Sequence, residues 1–217
     1  EILGEKHPDT LTSLNNLAIT YSSLGDYYKA LEMKNAVYNA RKEILGEKHP
    51  DTLTSLNNLA SSYSYLGDYN KACELQNAVY NARKEILGEK HPDTLTSLNN
   101  LAITYSSLGD YYKALEMKNA VYNARKEILG EKHPDTLTSL NNLASSYSYL
   151  GDYNKACKLQ NAAYNARKEI LGENHPDTLT SLNNLAIFYS YLGDYNKACE
   201  LQNAVYNARK EILGEKH

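Results

Sequence analysis

Five copies of one 42-residue unit make up this chain. Pro8, Pro50, Pro92, Pro134 and Pro176 fall at a constant step of 42, and almost every other residue keeps that step. Residues 1–42 and 85–126 are identical. A fixed period of this length marks a stacked repeat array rather than a globule with one central core. Each repeat then needs to bury itself only against its neighbours, so the 217-residue length does not count domains. We expect a single array with repeats at about 8–49, 50–91, 92–133, 134–175 and 176–217. Residues 1–7 are then expected to finish a preceding repeat, the sequence being a fragment of a longer array.

Inside one repeat the signals are those of two helices. Pro8 suits a first helical position, where its missing N–H has no partner to lose, and Asp9 follows at the positive end of the helix dipole. Leu11, Leu14, Leu17, Ala18, Tyr21 and Leu24 then recur at i, i+3, i+4 spacing and form one apolar stripe. Gly25 can supply the left-handed residue that ends this helix, here helix A. After Asp26 and Tyr27 turn the chain, Ala30, Leu31, Met33, Val37, Tyr38, Ala40, Ile44 and Leu45 give helix B a broad apolar face, and Gly46 ends it. No segment alternates at period two, so no strand is expected. The fold class read from this pattern is all-α, a right-handed α-solenoid of five 42-residue helix-turn-helix repeats.

Composition removes several functions. A net charge of -3 is too near neutral for an electrostatic nucleic-acid binder. No apolar run approaches the ~20 residues that cross a membrane, and no signal peptide opens the chain. Neither nucleic acid nor membrane is expected as a partner. Cys73, Cys157 and Cys199 share one repeat position with Leu31 and Leu115, as a small buried hydrophobe would, and their wide spacing argues against disulfides or a zinc site. A reducing, cytoplasmic compartment is the expectation.

Leu17-Ala18, Tyr21, Gly25, Tyr27 and Ala30 stand at the spacing of the tetratricopeptide signature. The wider run Leu14-Asn15-Asn16-Leu17-Ala18, Arg41, Leu45-Gly46 and His49-Pro50-Asp51 resembles the 42-residue subclass found in kinesin light chains and in the repeat tails of nucleotide-binding signalling proteins. The resemblance covers the whole chain and implies a right-handed superhelix. Two positions depart from the family pattern. Lys34, Gln76, Lys118, Gln160 and Gln202 stand where an aromatic residue is common, and Val37, Val79, Val121 and Val205 where Ala is, with only Ala163 restoring it.

The helical wheel leaves a face of helix A free of the apolar stripe: Thr12, Asn15, Asn16, Ile19, Ser22 and Ser23. The resemblance implies that this face lines a concave groove. Its copies form two amide ladders, Asn15, Asn57, Asn99, Asn141, Asn183 and Asn16, Asn58, Asn100, Asn142, Asn184. An amide offers donor and acceptor alike, which suits an extended peptide backbone, though the same groups can bond neighbouring repeats or face water. Ile19, Ile103 and Ile187 alternate with Ser61 and Ser145, while Ser23 and Ser107 alternate with Tyr65, Tyr149 and Tyr191. Variation on a constant scaffold is what a recognition surface would show, and drift after duplication would look similar. Helix A carries no Lys or Arg on this face, so the expected ligand is an uncharged segment rather than an acidic one.

Arg41, Arg83, Arg125, Arg167 and Arg209 occur once per repeat and are expected to form ion pairs between repeats, for instance to Asp51 and its copies. The ladder His7, His49, His91, His133, His175 and His217 is expected at helix entries, bonding the turn; with no second ligand nearby it is poor metal geometry. No Gly-rich phosphate loop and no singular acid, base or nucleophile appears. No cofactor, metal or catalysis is expected. The reading is a protein-interaction module that takes a protein or peptide ligand within a larger signalling or scaffold protein. Its rival is a structural spacer or self-assembling array, natural or consensus-like, associating head to tail through uncapped ends.

Overall fold

The computed structural model describes residues 4–214. Among them are ten α-helices and no strand. The helices A are α1 (Pro8–Ser23), α3 (Pro50–Tyr65), α5 (Pro92–Ser107), α7 (Pro134–Tyr149) and α9 (Pro176–Tyr191). The helices B are α2 (Tyr27–Leu45), α4 (Tyr69–Leu87), α6 (Tyr111–Leu129), α8 (Tyr153–Leu171) and α10 (Tyr195–Leu213). Helix A has 16 residues and helix B 19.

Local chemistry sets these bounds. Each helix A opens with the Pro, and Nδ1 of the preceding His accepts the backbone N–H of the following Asp at 3.2 Å, in all five repeats. The imidazole therefore caps an N–H that the helix itself cannot satisfy. His217 lies outside the described residues. Gly25 has φ 84° just past the end of α1, and its four copies lie between 81° and 86°. Asp26 then caps α2, its Oδ1 accepting the N–H of Lys29 at 3.2 Å, and Asp68, Asp152 and Asp194 repeat the bond.

The chain divides into two compact units, Glu1–Asp110 with α1 to α5 and Tyr111–His217 with α6 to α10. Within each, a helix packs chiefly on the helices next to it in sequence. Helix A meets helix B over alanine: Ala18 and Ala30 are fully buried, as are Ala60 and Ala72. In the first unit Leu53, Leu56 and Leu59 of α3 cluster with Val79 of α4, and Leu31, Tyr38 and Leu75 pack against them. In the second, Ala144, Ala156, Cys157, Leu185 and Phe188 form the corresponding cluster.

Several sequence expectations change. Leu17 and Leu24 are 45% and 75% exposed, while Leu59, the copy of Leu17, is 4% exposed. The reason is that α3 lies between α2 and α4, whereas α1 has its main contact with α2 alone. The same clasp buries Thr52, Ser55 and Ser62, so an inner helix A is buried well beyond its apolar stripe. Ile44 and Leu45 are 49% and 40% exposed rather than buried in an apolar face. Cys73 and Cys157 are buried as expected, but Cys199 is exposed. Cys157 is covered by Leu185 and Phe188 of α9, the next helix A, and no described helix follows α10.

The arginines also bond differently from the expected ion pair. Arg41 Nη1 donates to Ser55 Oγ at 2.9 Å and to the backbone carbonyl of Asp51 at 3.4 Å, not to its carboxylate. Arg83, Arg125 and Arg167 repeat both contacts with the following repeat. Arg83 and Arg167 also reach back to Thr54 and Thr138 in their own repeats. The carbonyl they reach is that of the first turn of helix A, so the guanidinium fork ties helix B to the next helix A.

Candidate functional site

In the first unit, the predicted face of helix A brings its amides together in register. Asn58 Nδ2 donates to Asn15 Oδ1 at 3.2 Å, and Asn100 Nδ2 to Asn57 Oδ1 at 3.3 Å. In the second unit Asn184 Nδ2 donates to Asn141 Oδ1 at 3.3 Å, and Gln160 Nε2 reaches the same oxygen at 2.7 Å. All of these asparagines are half-buried, as are Asn99, Asn142 and Asn183, while Asn16 is exposed. The ladder is thus partly a seam between repeats. Each seam occupies one acceptor, and the amide groups of Asn15 and Asn57 retain donors of their own. Thr12 stands apart, exposed and bonded to the carbonyl of Pro8 at 2.9 Å.

The tyrosines are held in place by stacking. Tyr65 stacks on Tyr27 of the preceding repeat, with ring centroids 5.3 Å apart and planes within 7°. Tyr149 stacks on Tyr111 in the same way, and Tyr191 meets Tyr153 at 5.2 Å with a 33° tilt. Each still exposes roughly 60% of its surface: Tyr65 62%, Tyr149 60% and Tyr191 58%. A ring fixed on one side and open on the other is contact area that costs little ordering on binding.

Two cavities lie on this face of the first unit. One of about 290 Å³ is lined by Ile19, Ser22, Ser23, Lys34, Ser61 and Tyr65. The next, of about 240 Å³, is lined by Ser61, Ser64, Tyr65, Gln76, Asn100, Ile103 and Thr104. Helix A differs between repeats at only three positions, those of Ile19, Thr20 and Ser23. All three, in one copy or another, line these two cavities.

Reading helix A by itself misses a cavity-lining residue that comes from helix B. Lys34 is 5% exposed and reaches Ser22 Oγ at 3.4 Å across the repeat. Burial pushes its pKa below the ordinary lysine value. Lys118 at the same repeat position is equally buried and is pushed down to about 8. The signal was present in the sequence as the departure from an aromatic residue at this position. What hid it is that a helix B side chain reaches the helix A face. Gln160 makes the reach plain, bonding Asn141 of α7 and the carbonyl of Ser181 in α9 at 2.7 and 3.0 Å.

Among the described residues no group of His, Cys, Asp and Glu is placed to hold a metal ion, and no helix is long and apolar enough to cross a membrane. Comparison with curated proteins finds no match. Solved structures give many. A kinesin-light-chain-like protein of Podosopora anserina with nearly identical TPR-like repeats is 29% identical, covering 96% of this chain and 99% of that one, with a TM-score of 0.81. BtubC from P. vanneervenii is 21% identical over 96% of this chain and 83% of its own, with a TM-score of 0.80. A Rap protein complexed with Competence and Sporulation Factor is 13% identical over 93% of this chain and 54% of its own, with a TM-score of 0.73. The last two share the fold alone. The tetratricopeptide repeat model matches residues 1–43, 23–72, 51–127, 107–156 and 135–211. Together with the capped helix pairs at a 42-residue step, that match means the chain belongs to the tetratricopeptide repeat family.

Proposed function

We propose that the helix A face binds an extended peptide segment of another protein, in either unit. Membership of a family of protein-interaction and scaffold modules supports the general reading, and proteins of this family are typically not enzymes. The observation that carries the finer one is where variation falls on helix A: its variable positions, in one copy or another, line the two cavities. The position of Thr20 also serves packing, since Phe188 is buried in the second unit's core, so the reading rests on the Ile19 and Ser23 positions, whose copies Ile103, Tyr65, Tyr149 and Tyr191 stay exposed. The likeness to a Rap protein complexed with a factor fits the reading at the level of fold.

Asn15 and Asn57 would donate their remaining amide protons to peptide carbonyls, one repeat apart. Tyr65, Tyr149 and Tyr191 would pack on the ligand's side chains. Each amide bond contributes about 0.5–1.5 kcal/mol net, so affinity must come from several repeats acting together. Cys73, Cys157 and Cys199 as thiols outside any disulfide suit a reducing compartment such as the cytoplasm, in a signalling or scaffold protein. The rival reading, a spacer without a ligand, draws on the Asn58–Asn15 and Asn100–Asn57 bonds, which give the amides work within the scaffold.

Selection of random peptides on the immobilised protein separates the two. The groove reading expects a recurrent motif that is not recovered on the Asn57→Ala/Asn99→Ala/Asn141→Ala variant. Absence of any recurrent motif over bare matrix would leave the spacer reading standing.

A further inference from the structure

We propose that the cavity over Lys34 is a specificity pocket for one acidic side chain, Asp or Glu, of the bound segment. The inference rests on the peptide-binding reading above and reverses the uncharged ligand expected from helix A. Lys34 stands mid-way along α2, 5% exposed, and makes no ion pair with any described residue. Its one hydrogen bond is the 3.4 Å contact to Ser22 Oγ, which leaves two ammonium protons for another acceptor. A lysine usually carries its ammonium out to water along a buried stem; an ammonium held inside without an anion is costly.

The walls do not neutralise it. Ser22, Ser23 and Ser61 donate their hydroxyl protons back to the carbonyls of Ala18, Ile19 and Asn57, at 3.1, 3.2 and 3.1 Å. Lys34 is therefore the cationic donor lining this cavity, beside the Tyr65 ring that is stacked on Tyr27. A carboxylate is the group that two remaining ammonium protons would bind most strongly.

The fold does not require the cation. Gln76, Gln160 and Gln202 occupy the same repeat position, and Gln76 floors the neighbouring cavity, where its buried Oε1 has no protein donor. One cavity of this unit thus presents a charge and the next a neutral amide, which is how a regular groove could set the register of a ligand. At about 290 Å³ the Lys34 cavity sits at the small end of ligand sites, room for a side chain. The row continues to the Gln76 cavity, so a segment meeting both passes over Lys34 instead of ending there. That favours a side-chain carboxylate over a chain terminus.

The test is the random-peptide selection run on three proteins: wild type, Lys34→Gln/Lys118→Gln and Gln76→Lys. Both substitutions exchange residues that this repeat position already carries, so the fold should hold. Peptides are displayed once without a free C-terminus and once with one. The expected result is a wild-type motif with Asp or Glu enriched about tenfold at one fixed place, a charged hydrogen bond being roughly twice as strong as a neutral one. The acidic place should vanish on Lys34→Gln/Lys118→Gln with the rest of the motif kept, and a second one should appear on Gln76→Lys. A motif with no acidic place, or one that survives the double substitution, overturns the pocket while leaving the groove reading intact. Acidic enrichment confined to free C-termini overturns the side-chain assignment. No motif at all defeats both readings.

Discussion

Buried lysine is the most consequential single residue type in this chain. Lys118 has its pKa pushed from the ordinary 10.5 down to about 8 by burial. Below pH 8 the ammonium is charged in both folded and unfolded chains, and the folded one bears the full cost of burial. As pH rises from about 8 towards 10.5, the folded side chain has released its proton while the unfolded one still holds it, so stability increases with pH. Lys118→Gln removes this slope. Denaturant unfolding of the two proteins should therefore converge by about 2 kcal/mol between roughly pH 8 and 9.5, with the glutamine variant the more stable at neutral pH. Parallel curves would show that Lys118 is solvated. Gly67 is a second residue with a definite cost. At φ 83°, with open space where a Cβ would stand, its side chain would be strained by backbone conformation and not by a clash. Gly67→Ala should destabilise by about 1 kcal/mol in urea titration, and a neutral effect would contradict the strain.

At the scale of the helix, the arginine fork is what joins one repeat to the next. Arg83 in α4 bonds Ser97 at 2.9 Å and the Asp93 carbonyl at 3.3 Å in α5, and Thr54 at 3.3 Å in α3. Arg83→Ala should cost about 1–3 kcal/mol, and Arg83→Lys should restore little, since a point charge cannot span three acceptors. Full rescue by lysine would mean that charge alone matters. These contacts also explain which parts of the elements were legible in sequence. Helix starts and ends were, because Pro8, Asp9, Gly25 and Asp26 act on their own backbone within a few residues. Partners across repeats were not. Arg41 was expected on a carboxylate, yet it binds a serine and a carbonyl that lie close only once α2 meets α3. Ser55 and Thr52 read as polar surface, and they are buried because helices flank α3 on both sides. Lys34 escaped for the same reason: a wheel drawn on helix A does not contain what helix B inserts into its face.

For the molecule as a whole, near-identical repeats predict nearest-neighbour behaviour. Each added repeat contributes its own folding term and one more interface, so three-repeat and five-repeat versions should differ in urea midpoint and sharpness, the longer being the more stable. Equal midpoints would mean that the interfaces contribute nothing. Repetition also bears on binding, since no single amide suffices and a groove must accumulate weak contacts. The most direct test of peptide recognition by the helix A face uses one selected peptide and the Asn57→Ala/Asn99→Ala/Asn141→Ala variant, at a temperature where its unfolding curve shows it native. Peptide affinity is expected to fall at least about tenfold, from the loss of three side-chain amides on the helix A face. Unchanged affinity in the folded variant would contradict it.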